Sequence, residues 1–226
     1  QIKTQVCEIF IQMKKILFLI LALFAIHSIK GQTSFNSALF NFQSGLSPKR
    51  EVRAVWLTTI GGLDWPHNYA QNPASISKQK KELQIILDQL KAAGINTVLF
   101  QTRIRGTVVY PSDYEPWDGC LSGVPNKSPG YDALEFAIEE CHKRGMEIQA
   151  WIVTIPIGKW NQAGCKNLRN RYPALVKKIG EEGFMDMENP QTAQYLADIC
   201  GEITNKYDID GIHLHYIRYP ETWNIK

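Results

Sequence analysis

From residue 51 onward, short apolar runs alternate with longer stretches in which apolar residues recur at helical spacing. The runs predict β-strands, and a spacing such as that of Leu83, Leu87 and Leu90 predicts amphipathic helices. The predicted strands cover residues 52–59, 95–101, 147–154 and 209–216, and the predicted helices cover residues 75–93, 131–144 and 190–207. Gly94 and Gly145 directly follow the first two predicted helices, where glycine commonly ends a helix.

The connections differ at the two ends of the predicted strands. Each helix leads into the next strand through a tight link, whereas residues 102–130 and 155–189 form long loops after strands. Parallel (β/α)8 barrels have this asymmetry and carry their sites at the carboxyl ends of the strands. The turn after the first strand, TTIGGLDWP, lacks the glycine-rich motif of open dinucleotide-binding sheets. The pattern therefore predicts an α/β fold of the (β/α)8 type. We interpret residues 50–226 as the truncated N-terminal part of such a barrel, about the first four β/α units.

The first fifty residues follow a different pattern. Met13, Lys14 and Lys15 precede an apolar run over residues 16–26, which is typical of a secretory signal peptide. We expect a non-native extension over residues 1–12, a signal peptide over 13–31 and a linker over 32–49. The apolar run is short for a membrane span, so we expect a secreted protein with no stable span after signal cleavage. An uncleaved N-terminal anchor is the alternative.

Composition narrows the range of partners. The formal net charge is only +3 and the basic residues are scattered, so we expect no nucleic-acid partner. Six Trp and 11% aromatic residues suit a sugar-stacking surface, and they equally suit a large aromatic core. The cysteines lack metal-ligand spacing, and we expect no metal and no cofactor. Cys120 and Cys165 fall in predicted loops, and the sequence does not decide whether they form a disulfide.

Polar and aromatic residues gather where the predicted strands end. Because the carboxyl ends of parallel strands meet at one rim, we expect these side chains to converge. Carboxylates, arginines and aromatic rings are the groups that bind and cleave sugars. The candidate substrate-binding residues are Trp56, Arg103, Asp113, Glu115, His213, Tyr216 and Arg218. Asp113 and Glu115 also fit turn-capping roles, and Trp56 and Trp151 also fit core positions.

Six motifs occur in a fixed order along the chain. They are REVRAVWLTT, FQTR, PSDYEPW, YDALEFAIEECHKRGMEIQAW, DMENP and DGIHLHYIRYP. Together they resemble the glycosyl hydrolase-like 10 family from about residue 50 to residue 220. The resemblance implies a (β/α)8 barrel, a polysaccharide or glycan substrate, and the periplasm or surface of a Gram-negative bacterium. It also implies that Arg103 and His213 are sugar-binding residues.

Position 215 departs from the family pattern D-G-I-H-[FL]-D, because His215 stands where the resemblance implies the catalytic carboxylate. A neutral imidazole cannot form a glycosyl ester. One interpretation is a glycosidase of weakened activity, or a non-catalytic carbohydrate-binding scaffold. A second is a sequence artefact, since the Asp and His codons differ by one base. A third is a metal-dependent hydrolase in which His213 and His215 bind the metal. Asp210 begins the strand, so we expect it to have a structural role.

Overall fold

The structure is a computed structural model, and it describes residues 51–220. The predicted extension, signal peptide and linker lie outside the described residues. The strands are β1 (Ala54–Leu57), β2 (Thr97–Arg103), β3 (Glu147–Val153), β4 (Pro156–Lys159), β5 (Val176–Ile179), β6 (Glu182–Met185) and β7 (Gly211–His215). The helices are α1 (Pro73–Ala92), α2 (Gly119–Ser122), α3 (Ala133–Lys143), α4 (Ala163–Arg171) and α5 (Pro190–Lys206).

The principal sheet is parallel, with strand order β1-β2-β3-β7. Its four strands are those that the apolar runs predict, with bounds that differ by up to two residues. Neighbours in the sheet follow one another along the chain, so right-handed crossovers place the intervening helices on one face. An open doubly wound sheet would reverse its strand order and cover both faces. The predicted barrel-type α/β fold is therefore confirmed, and the described strands form part of it.

The two faces of this sheet carry different residues because side chains alternate along each strand. Val98, Phe100 and Ile148 are fully or almost fully buried in the core that the sheet shares with the helices. Helix residues in the same core are Leu83, Leu87, Ala137, Cys141, Ile199 and Ile203. The opposite face, which is the interior of a barrel, carries Trp56, Trp151 and His213 together with the aliphatic residues Leu99 and Val153.

Residues 155–189 are not the long loop that we expected. They form helix α4 and a second, antiparallel sheet of order β4-β6-β5. The expectation failed because each strand is only four residues long, too short for a clear periodicity. A hairpin signal is nevertheless present, since Gly180 and Glu181 separate β5 from β6 and Gly180 has a φ of +58°.

Cap residues set where the larger helices begin. Asn72 caps α1 and forms a reciprocal capping box with Ser75, so the helix starts at Pro73, ahead of the predicted residue 75. Asp132 accepts hydrogen bonds from two amides at the start of α3. Asn189 caps α5 ahead of Pro190. These three caps fix the amino-terminal ends of α1, α3 and α5.

Cysteine placement differs from the prediction. Cys120 lies on α2 and Cys165 on α4, both buried, and both are free thiols, as are Cys141 and Cys200.

Within residues 51–220, no helix is long and apolar enough to cross a membrane.

Candidate functional site

Four rings from β1, β3 and β7 meet on the inner face of the sheet, near the carboxyl ends of its strands. The Trp56 ring centroid lies 4.6 Å from that of Trp151, 4.5 Å from His213 and 5.0 Å from His215. We refer to these four residues as the rim cluster. Trp151 is buried, whereas Trp56 is 43% exposed. The structure thus brings three of the predicted site residues together, with one indole accessible to a ligand.

The ring of His215 is fixed by its neighbour on β3. The indole Nε1–H of Trp151 donates to Nδ1 of His215 at 3.0 Å. An acceptor Nδ1 carries no proton, so the neutral ring has its proton on Nε2. Partial burial, with His213 and Arg218 nearby, lowers the pKa of His215 below its usual value of 6.5. His215 is therefore neutral at pH 7 and offers an N–H donor at Nε2.

The backbone at this strand end is also fixed. The carbonyl of His215 accepts hydrogen bonds from the Thr154 amide at 2.9 Å and from its hydroxyl at 2.8 Å. The next residue, Tyr216, has a φ of +55°, which turns the chain out of the strand. Its ring centroid lies 4.1 Å from that of His215. Tyr216 therefore extends the aromatic surface of the rim cluster.

A cleft of about 300 Å³ adjoins Tyr216. Its lining includes Tyr216, Arg218, Tyr219, Phe184 and Glu182. Glu182 is a carboxylate that we did not predict, because it lies on β6 in the stretch expected to be a loop. The hairpin turn at Gly180 is the signal that could have located it.

Arg103, the last residue of β2, forms a buried ion pair with Glu115. The guanidinium donates from Nε and Nη2 to the two carboxylate oxygens of Glu115, at 2.8 and 2.7 Å. Both side chains are inaccessible to solvent. Burial alone would lower the pKa of Arg103, but Glu115 reverses the effect and the pKa is raised. Their role in substrate binding stays a prediction, and their contacts in the structure are with the protein itself.

The same arginine reaches the strand that supports His215. Its Nη1 donates to the carbonyl of Thr154 at 2.9 Å and also to that of Val153. Thr154 in turn donates to the carbonyl of His215. Hydrogen bonds therefore connect Glu115, through Arg103 and Thr154, to the backbone of His215.

Asp113 lies away from the rim cluster. Its amide donates to Glu202 at 2.7 Å, and its carboxylate accepts from Lys206 at 3.2 Å. Lys206 is the last residue of α5, which leads into the amino end of β7. Asp113 is thus near the end of β7 opposite to His215. Its role in substrate binding stays a prediction, and the structure does not bring it to the rim cluster.

Asp210 has the structural contacts expected of it. Its carboxylate accepts from the amide of Ile148 at 2.8 Å and lies 2.9 Å from Nε2 of His142. These bonds join the start of β7 to β3 and α3. The side chain therefore anchors the amino end of the strand.

A family model described as glycosyl hydrolase-like 10 matches residues 51–224. The chain belongs to the glycosyl hydrolase-like 10 family. The resemblance that the six motifs indicate is thereby confirmed.

Two relatives of this glycosyl hydrolase-like 10 chain are glycosyl hydrolase YngK of Bacillus subtilis, 32% identical over 183 residues, and glycosyl hydrolase DigH of Escherichia coli K12, 30% identical over 187 residues. The matches cover 79% and 76% of this chain but only 35% and 43% of those proteins. A glycoside hydrolase family 20 β-N-acetylglucosaminidase superposes with a TM-score of 0.50 at 13% identity, over 74% of this chain and 36% of that one. The likeness to this enzyme concerns the fold.

Metal binding would need more ligands than the H-x-H motif supplies. Among the residues that the structure describes, no group of three or more His, Cys, Asp or Glu side chains is placed to hold a metal ion. His213 and His215 have ring centroids 6.2 Å apart, and Nδ1 of His215 is occupied by Trp151. The described side-chain contacts of this pair are aromatic packing and the hydrogen bond from Trp151.

Proposed function

We propose that the protein binds a polysaccharide or glycan at the rim cluster of a glycoside hydrolase-type barrel. The observation that carries the proposal is the exposed indole of Trp56, packed against Trp151 and beside the fixed ring of His215. An exposed indole offers a flat apolar surface for the apolar face of a pyranose ring. Adjacent polar groups can then bind its hydroxyls. Membership of the glycosyl hydrolase-like 10 family supports the same class of ligand.

In this proposal His215 binds sugar and does not attack it. Its Nδ1 already accepts from Trp151, so Nε2–H remains to donate to a sugar hydroxyl. In the common retaining mechanism the nucleophile forms a glycosyl ester, which requires a carboxylate. The chemistry at this position therefore favours recognition over covalent catalysis by the same residue.

Hydrolysis of a glycosidic bond is the second candidate function. The relatives' names and family membership favour it. It requires two carboxyl groups about 5–10 Å apart across the bond. Glu182, in the cleft beside Tyr216, is one carboxylate available to such a reaction. Because the chain spans less than half of these relatives, we propose hydrolysis only for a full-length protein.

We also infer export from the cytoplasm. The basic residues Lys14 and Lys15, followed by an apolar run over residues 16–26, support a secretory signal. A secreted protein would meet polysaccharides directly. Fractionation of cells that express the full chain tests this, and retention of the intact chain in the cytoplasm would contradict it.

Affinity electrophoresis in gels that contain soluble polysaccharides tests the binding proposal. We expect the wild-type chain to be retarded by at least one polysaccharide and Trp56→Ala to lose that retardation. Trp160→Ala is the matched control, because this tryptophan lies beside β4 and outside the rim cluster. Equal retardation of wild type and Trp56→Ala, or no retardation in any gel, would overturn the proposal. Release of reducing sugar, measured in parallel, separates hydrolysis from binding.

A further inference from the structure

A second cleft, of about 420 Å³, lies between the loops that follow β1, β2 and β4. Those loops leave the carboxyl ends of β1 and β2 and the end of β4. The side chains important to its chemistry are Tyr69, Arg105, Trp117, Asp118 and Gln162. None of them belongs to the rim cluster or to the cleft beside Tyr216.

Buried hydrogen bonds hold one wall of this second cleft in place. Oε1 of the buried Gln101 accepts from the amides of Thr59 and Ile60, each at 2.9 Å. These bonds fix the turn after β1 to the end of β2. The turn residues Ile60 and Gly61 line the cleft. This wall is therefore preformed.

The opposite walls are fixed by close packing. The hydroxyl of Thr107 donates to Asp118 at 2.6 Å, and a bridge pairs Val108 with Trp117. A Cβ atom on Gly164 would overlap the carbonyl oxygen of Arg105, so only glycine lets α4 approach this loop. The cleft keeps its shape without a ligand, which reduces the entropy lost on binding.

The free groups of the second cleft are those of a sugar site. The ring of Tyr69 is 56% exposed, and Trp117, which is partly exposed, lines the same cleft. The stem of Arg105 lies against Gly158, and within residues 51–220 its guanidinium has no hydrogen bond or ion pair. Both oxygens of Asp118 are already used, by Thr107 and by the amide of Cys120. Aromatic surface beside an available donor suits a pyranose ring and its hydroxyls.

The second cleft is within reach of the rim cluster. Ile60, in its wall, follows Trp56 by four residues, so their Cα atoms are at most about 14 Å apart. An oligosaccharide of several units that stacks on Trp56 is therefore long enough to reach this cleft. A ligand of one or two sugar units at the rim cluster cannot fill both.

We propose that the second cleft is a saccharide subsite, in which Tyr69 and Trp117 stack on a sugar ring and Arg105 donates to its hydroxyls. The ligand of the protein is then an extended oligosaccharide or polysaccharide chain and not a single sugar. This inference rests on the proposed glycan binding at the rim cluster. It adds a second place at which the protein contacts the glycan, and it requires a ligand long enough to fill both places.

Isothermal titration with cello-, malto- and chito-oligosaccharides, from dimer to hexamer, tests the subsite. We expect the affinity of the wild-type chain to rise with length in the series that binds. Arg105→Ala and Tyr69→Ala should weaken the hexamer about tenfold each and leave the dimer unchanged, since each removes one contact of ordinary strength. Lys166→Ala is the matched control, because Lys166 is an exposed cation on α4 that does not line the cleft. Trp56→Ala should weaken dimer and hexamer alike.

The outcomes separate the subsite from the proposed function. If dimer and hexamer bind equally, or if both cleft variants bind the hexamer as the wild type does, the subsite is overturned while glycan binding at Trp56 stands. If no oligosaccharide and no polysaccharide binds the wild-type chain, the proposed function fails and the subsite with it. Both substituted side chains are exposed, so the variants should keep the wild-type circular dichroism spectrum.

Discussion

Trp151 and His215 are joined by a hydrogen bond between neighbouring strands, with Nε1 of the indole 3.0 Å from Nδ1 of the imidazole. The two residues do not face each other in the strand register, since Trp151 pairs with His213 and His215 pairs with Val153. The indole therefore reaches along the inner face of the sheet. This contact determines which nitrogen of His215 holds the proton, and so what His215 can do.

Trp151→Phe should raise the pKa of His215. The indole N–H favours the neutral ring, and its loss removes one hydrogen bond while an aromatic ring remains in place. A hydrogen bond of ordinary strength corresponds to a rise of about half to one pH unit. NMR titration of the His215 ring measures the midpoint. Trp56→Phe is the control, because Trp56 has no described hydrogen bond to this ring. An unchanged midpoint in Trp151→Phe would show that the bond does not set the protonation state.

The lowered pKa of His215 also predicts how stability depends on pH. In the unfolded chain a histidine takes up its proton near pH 6.5, whereas folded His215 takes it up only at lower pH. The unfolded state then binds more protons between these two pKa values. The free energy of unfolding is therefore highest above pH 6.5 and decreases as the pH falls toward the folded pKa. Urea denaturation of the wild type and of His215→Asn over this range measures it. A wild-type slope no steeper than that of the variant would contradict the prediction.

Removing one partner of the Arg103–Glu115 pair should be more damaging than removing both. Arg103→Met leaves a buried carboxylate without its cation, and such a change costs about 3–5 kcal/mol. The double variant Arg103→Met with Glu115→Met should cost clearly less. Urea denaturation measures the free energy of unfolding of each variant. Asp88→Asn is the control, because it breaks the pair of the exposed Asp88 with Arg144, which should cost about 0–1 kcal/mol. If Arg103→Met kept full stability and lost only glycan affinity, direct substrate binding by Arg103 would be the better explanation.

Glu202 should make the protein sensitive to acid. Its buried carboxylate accepts from Tyr110, Ser112 and the amide of Asp113, and also binds Lys206. Burial would raise its pKa, but these donors hold the pKa below 4.5. The stabilising effect is therefore complete above pH 4.5 and is lost as the pH falls through the folded pKa.

Glu202→Gln removes the charge and keeps the shape, so it tests that prediction directly. The variant should be less stable at neutral pH by about 1–3 kcal/mol and should lose stability less steeply in acid. Thermal denaturation of both proteins between neutral and acidic pH compares the slopes. Parallel slopes would mean that Glu202 is not the titrating group.

The principal sheet could be predicted from the sequence because each of its strands is a clear apolar run bounded by a helix. β3, for example, ends at Val153, one residue before the predicted end. The rim position of His213 and His215 follows from the same pattern, since carboxyl ends of parallel strands meet. The small sheet could not be predicted from periodicity, because its strands are only four residues long and depend on their antiparallel partners.

The partners of individual side chains were also beyond the sequence. Arg103 and Asp113 have the residue types of a sugar site, but residue type does not say whether a charge points to solvent or to a buried partner. Glu115 lies twelve residues after Arg103, and the loop between them folds back onto β2 through the bridges of Val108 and the hydrogen bond from the Val109 amide to Thr102. Trp151 was recognised as a possible core residue, yet its bond to His215 depends on the packing of two strands that are far apart in sequence.

Sugar binding by the neutral ring of His215 is tested by NMR on the chain labelled with 15N-histidine, with and without an oligosaccharide that the chain binds. We expect Nδ1 of His215 to have the chemical shift of an acceptor and the Nε2–H signal to move when the sugar is added. Loss of that movement in Trp56→Ala would place the sugar at the rim cluster. A protonated Nδ1 at neutral pH, or a His215 signal that stays unchanged while the sugar binds, would contradict sugar binding by the neutral His215 ring.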